Sequence, residues 1–72
     1  MNMMPLPFAE TGEEYLIRRV GGTPEVKKHL ENLGFVVGGA VSIVNSLNGN
    51  LIVKVKDSRI ALDGKMAEKI MV

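Results

Sequence analysis

The stretch Leu33-Gly34-Phe35-Val36-Val37-Gly38-Gly39-Ala40-Val41 constrains this chain more than any other. Three glycines stand there among apolar side chains that need burial. Glycine admits positive φ and close backbone approach, at an entropic cost in regular structure. The cluster therefore predicts a tightly specified corner between the end of a helix and the start of a strand. From that corner to Val72 the chain reads as one compact β unit.

The local patterns agree. Met1 to Thr11 reads as an irregular lead-in, with Pro5 and Pro7 opposing helix and with Leu6 and Phe8 as residues to dock on the core. Glu14 to Val20 is a first strand with Ile17 inward, ended by Gly21-Gly22. Thr23, Pro24 and Glu25 are N-cap, first-turn and dipole-complementing residues of a helix. Val26, Leu30 and Leu33 share its apolar face, and Gly34 falls where a left-handed C-cap is expected. Ala40 to Leu47 is the next strand, with Val41 and Ile43 inward. Asn48-Gly49 is a type I′ hairpin signal. Leu51, Val53 and Val55 then alternate with Ile52, Lys54 and Lys56, the clearest period-2 pattern in the chain. A turn at Asp57-Ser58 leads to a return strand with Ile60 and Leu62 inward. Asp63 caps a helical turn through Lys65 to Lys69, and Met71-Val72 forms a last strand. So many short strands with tight turns favour a small closed barrel, because closure protects edges.

Size and charge bound the function. A chain of 72 residues is one domain, residues 1–72, with residues 1–11 packing on the barrel as a lead-in. It buries only about 60% of its unfolded surface; a 46% hydrophobic composition compensates. The absence of cysteine excludes disulfides and thiolate metal sites. A net charge of +1 is too small for electrostatic nucleic-acid or membrane binding. No apolar run approaches the ~20 residues that span a bilayer, and Met1 to Ala9 lacks a cationic n-region. The expectation is a cytoplasmic protein without direct membrane insertion.

Three ordered pieces resemble the FeoA family, small cytosolic proteins encoded beside a bacterial ferrous-iron transporter. They are Met4-Pro5-Leu6 followed by Gly12; Leu33-Gly34-Phe35 with Gly38 and Val41; and Arg59-Ile60-Ala61-Leu62 followed by Ala67, Ile70 and Val72. The resemblance implies a mainly β fold with one or two short helices, an SH3-like barrel. It also implies an accessory role in ferrous iron uptake, binding a membrane transporter with a cytosolic GTP-binding domain and modulating its assembly or activity. A similar barrel ends metal-dependent repressors of the diphtheria-toxin-repressor type, so the alternative is a stand-alone metal-responsive regulatory domain. The chain departs from the family at Val37, where many members carry proline.

Catalysis finds no support. One histidine, no cysteine, and serines 42, 46 and 58 without a base offer no nucleophile, and Gly64-Lys65-Met66 is not a phosphate loop. The expectation is a non-enzyme without cofactors. His29 and Glu25, four apart on one helix face, are the weak metal candidates; ferrous sites usually take more ligands. Met1, Met3 and Met4 read as an apolar terminus before a thioether site. With Phe8, Tyr15 and Phe35 the only aromatics, neither a proline-peptide groove nor a stacking platform for single-stranded nucleic acid is available. The partner-binding candidates are Ile52, Lys54, Lys56 and Arg59, which alternate outward on neighbouring strands, with the Asn45 to Asn50 loop second.

Overall fold

Alternation along residues 51–55 sets the architecture. In the structure, a computed structural model describing residues 3–72, Leu51, Val53 and Val55 are buried and Lys54 is exposed. They belong to β4 (Asn50–Val55), a central strand of a four-stranded antiparallel sheet ordered β1-β3-β4-β5. Its other members are β1 (Glu14–Leu16), β3 (Ala40–Leu47) and β5 (Ser58–Asp63). The hairpin between β3 and β4 turns on Asn48 and Gly49 at φ +52° and +82°, the positive pair a type I′ turn requires.

The segment expected as one strand over Glu14 to Val20 is two. After Leu16 the chain leaves β3, and β2 (Arg19–Val20) pairs instead with β6 (Ile70–Met71). Ile17 sits at the crossing, buried, its N–H donating to the Gly39 carbonyl at 2.8 Å. The Arg18 N–H donates to the Met71 carbonyl at 2.8 Å, so one short segment ties the two sheets together. The last strand is Ile70–Met71, one residue earlier than expected, and Val72 beyond it exchanges backbone hydrogen bonds of 2.9 Å with Met4, in register with the Pro5–Met71 bridge. That exchange holds the lead-in against the second sheet.

Within the lead-in, Leu6–Phe8 forms a single 3-10 turn. At about three residues per turn, positions 6 and 8 point to different sides. Leu6 is wholly buried, whereas Phe8 is 74% exposed and does not dock on the core as expected. Met3 is also exposed, and Met1 lies outside the described residues.

Helix α1 (Pro24–Asn32) begins and ends where its sequence says. Thr23 Oγ1 accepts from the Val26 N–H at 3.3 Å. At the other end the Gly34 N–H reaches the Glu31 carbonyl and the Phe35 N–H reaches the Leu30 carbonyl, both at 3.0 Å. Gly34 has φ +109°, completing a Schellman cap. Leu30 and Phe35 are fully buried together; Val26 and Leu33 are half-buried beside them. The second helix, α2 (Gly64–Ala67), is shorter than the expected turn through Lys69, and Asp63 Oδ1 caps it by accepting from the Met66 N–H at 2.8 Å. It buries Ala67, while Ile70 follows into the same core.

The rest of the corner is a second device. The Gly39 N–H donates to the Val36 carbonyl at 2.9 Å, closing a four-residue turn with Val37 and Gly38 at its centre. Gly38 has φ +89°, which marks a type II turn. The expected junction is therefore a helix cap followed at once by a β-turn. The chain then enters β3, whose Val41 and Ile43 face the core.

Candidate functional site

The outward residues of β4 and β5 are brought together by register. Glu14, Ser42, Lys54 and Arg59 are successive cross-strand partners and form one row across all four strands of the sheet. Neighbouring strands lie about 4.8 Å apart, so Lys54 and Arg59 are adjacent cations with Glu14 at the far end of the row. Lys54, Arg59 and Glu14 are exposed and Ser42 is half-buried. Two residues along, Asn45, Ile52 and Ala61 form the next outward row, with Ile52 half-buried. Ile52, Lys54 and Arg59 therefore share one face, as their alternation predicts.

Lys56 reaches this neighbourhood from a turn. The β4–β5 connection turns on Lys56 and Asp57, and Ser58 already pairs with Val55; the turn expected at Asp57-Ser58 lies one residue earlier. Lys56 has φ +53°, a left-handed conformation that costs a non-glycine residue about 1–2 kcal/mol. Its aliphatic stem passes close to Gly34, the C-terminal cap of α1. Between Gly34, Gly39, Ser42, Glu14, Lys54 and Lys56 lies a shallow cavity of about 150 Å³. Glu14 and Ser42 beside this cavity are not marked out by the sequence, and the glycines are marked out as a corner, not as a site. Only strand register places Glu14 and Ser42 beside Lys54.

The Asn45 to Asn50 segment is not a free loop. It is the end of β3, the two-residue turn and the first residue of β4. Register shifts between Ile43 and Asn45, so Val44 is the extra residue of a β-bulge. Asn45 Oδ1 accepts from the Ser46 N–H at 2.8 Å, a local contact that supports the strand end.

His29 and Glu25 lie one helical turn apart on α1, and both are exposed. Among the described residues no group of three His, Cys, Asp or Glu side chains converges on a common point. The helix face supplies at most two donors, fewer than a ferrous site usually takes. Tyr15 serves the structure, since its hydroxyl accepts from the Glu10 N–H at 3.0 Å and donates to Glu13 Oε2 at 3.4 Å. No helix of the described residues is long and apolar enough to cross a membrane.

A four-stranded antiparallel sheet and a two-stranded one, linked by a segment that serves both, define a small SH3-like barrel. The chain belongs to the FeoA family: residues 4–72 match the FeoA domain. It is 33% identical over 70 residues to the putative Fe(2+) transport protein A of Methanocaldococcus jannaschii, covering 97% of this chain and 85% of that one. Solved structures share the fold, among them the following. An iron uptake regulatory protein (FeoA) matches with a TM-score of 0.88 at 22% identity, over 100% of this chain and 96% of that chain. Stenotrophomonas maltophilia FeoA, crystallised with zinc, matches with a TM-score of 0.81 at 25% identity, over 93% and 86%. A manganese-dependent transcriptional repressor matches with a TM-score of 0.84 at 15% identity, over 97% of this chain but only 40% of its own, a likeness of fold alone.

Proposed function

We propose that this chain is a non-enzymatic accessory protein of ferrous iron uptake that acts in the cytoplasm. In this reading it docks on a membrane iron transporter with a cytosolic GTP-binding domain and modulates its assembly or activity. Membership of the FeoA family carries the reading. The docking face is the outer surface of β4 and β5, with Lys54 and Arg59 as its charged centre, Ile52 as its apolar neighbour and Lys56 at its rim. Support comes from the exposure and register of Lys54 and Arg59, from half-buried Ile52 on the same face, and from Lys56, a lysine held at positive φ where glycine or asparagine would be less strained. The partner surface that fits such a face is acidic or mixed, around an apolar contact.

The test is titration of the purified chain with the transporter's cytosolic domain in its nucleotide-free, GDP and GTP-analogue states. Binding in at least one state, weakened by charge reversal on this face, supports the reading. No binding in any state, with normal iron uptake in a deletion strain, removes it.

A second reading is favoured by the relative crystallised with zinc. There the chain is a metal-responsive regulatory domain that takes a ferrous ion near His29 and Glu25. Calorimetric titration with ferrous ion separates the two. Stoichiometric binding lost in His29→Ala supports the metal reading, and the absence of heat removes it.

A further inference from the structure

We propose that the free edge of β5 pairs with the same edge of a second copy of this chain, antiparallel, about a two-fold axis through Ala61. β5 ends the sheet: β4 covers one side, and among the described residues no strand covers the other. Ser58 and Val55 close a two-residue turn, so that pair exchanges ladder hydrogen bonds, as do Ile60–Val53 and Leu62–Leu51. The peptide groups of Arg59 and Ala61 and the N–H of Asp63 therefore face away from β4, while the Asp63 carbonyl belongs to the first turn of α2. Among the described residues, no backbone hydrogen bond outside the regular elements engages them, and all three residues are exposed.

Natural edge strands are blunted by proline, a bulge, a covering segment or charged side chains, and of these β5 carries only charges, which deter self-pairing only where they meet their like. β5 has no proline and its register against β4 is unbroken. Its edge charges are of opposite sign and four residues apart, Arg59 and Asp63. That spacing selects one self-pairing. With the axis at Ala61, Arg59 of each copy stands opposite Asp63 of the other, twice, and Ala61 faces Ala61. An axis at Arg59 sets two guanidinium groups face to face, and an axis at Asp63 sets two carboxylates face to face; both are destabilising cross-strand pairs. An axis at Ile60 places Arg59 opposite Ala61 and forms no charge pair. The favoured register also uses the most backbone groups. Asp63 is oriented for it: Oδ1 accepts from the Met66 N–H, and among the described residues no hydrogen bond engages Oδ2, the oxygen that would meet the second copy's guanidinium.

The contact is isologous, as two-fold pairing demands. Two six-residue edges bury less than the roughly 1,200–2,000 Å² of a stable interface, so the dimer is weak and concentration-dependent. Self-pairing does not depend on the transporter reading. Arg59 belongs to both surfaces, so the two readings are separated by what is measured: self-association of the chain alone for the edge, titration with the transporter domain for the face.

Sedimentation equilibrium of the full chain, from about 10 μM to about 1 mM, is the test. The wild type is expected to move from monomer to dimer over this range. Arg59→Glu, which faces Asp63 with a like charge, weakens the dimer tenfold or more. Asp63→Asn keeps the helix cap, weakens the dimer less and flattens its salt dependence. Ala61→Pro removes the central edge donor without breaking a β4 bond and leaves a monomer. If Ala61→Pro fails to fold, Arg59→Glu decides alone. The chain has no cysteine, so Ala61→Cys with a short bifunctional thiol reagent traps the dimer at its axis. A wild type monomeric throughout overturns the proposal. So does a dimer indifferent to Arg59→Glu and uncrosslinked at position 61, which would lie on another face. A chain that stays monomeric yet binds extended acidic peptides on this edge gives the edge to a foreign strand and overturns self-pairing as well.

Discussion

The Phe35 N–H donates to the Leu30 carbonyl at 3.0 Å, and both side chains are completely buried. One pair of residues thus ends α1, fixes the direction in which the chain leaves it and anchors the helix to the barrel. Helix end and core are the same structure here. A nine-residue helix is too short to persist in water by itself, so it depends on this attachment.

Leu30→Ala is expected to cost about 2–5 kcal/mol as a buried truncation. In a domain with so small a core, that loss is comparable to the whole stability. Chemical denaturation measures it. A cost below about 1 kcal/mol would mean that α1 is peripheral to the core.

Gly34→Ala tests the cap rather than the packing. A Cβ at this position meets only ordinary contacts, the nearest being Val55 at 3.6 Å, so the penalty comes from φ +109°. A loss of at least about 1–2 kcal/mol is expected. A neutral substitution would show that the Schellman geometry is not maintained in solution.

Val37→Pro is expected to stabilise the protein by about 0.4–1 kcal/mol. Val37 is the first central residue of a type II turn, where proline is favoured. It is 65% exposed, and among the described residues no backbone hydrogen bond outside the regular elements uses its N–H. The melting temperature should rise by a few degrees. A fall would mean that the turn is of another type.

Asp63→Ala removes the cap of α2 and should cost about 0.5–2 kcal/mol, whereas Asp63→Asn should be nearly neutral. Thermal melts of the two variants separate the oxygen's capping role from its charge. Equal losses would place the effect in the charge instead.

Much of this fold is legible in the chain because its strongest signals are local. The cap at Thr23, the glycine at Gly34, the Asn48-Gly49 turn and the alternation of β4 each depend on a few neighbouring residues. What is not legible is set by partners distant in sequence. The break at Ile17 exists because the chain changes from β3 to β6, which nothing in Glu14 to Val20 encodes. The turn at Lys56-Asp57 escapes a reading of residue types because lysine at positive φ defies the usual turn chemistry. Phe8 faces outward because a 3-10 turn, not an extended lead-in, sets its side. For the candidate site, alternation is enough to put Ile52 and Lys54 on one face. Glu14 and Ser42 join them only through register.

The central claim is that the β4–β5 face docks on the transporter. Lys54→Glu combined with Arg59→Glu is the direct probe, measured by titration against the cytosolic domain with a thermal melt alongside. Both residues are exposed, so stability should change by no more than about 1 kcal/mol. The account predicts binding weakened at least tenfold with the melting temperature nearly unchanged. Unaltered affinity in a folded double variant would contradict it.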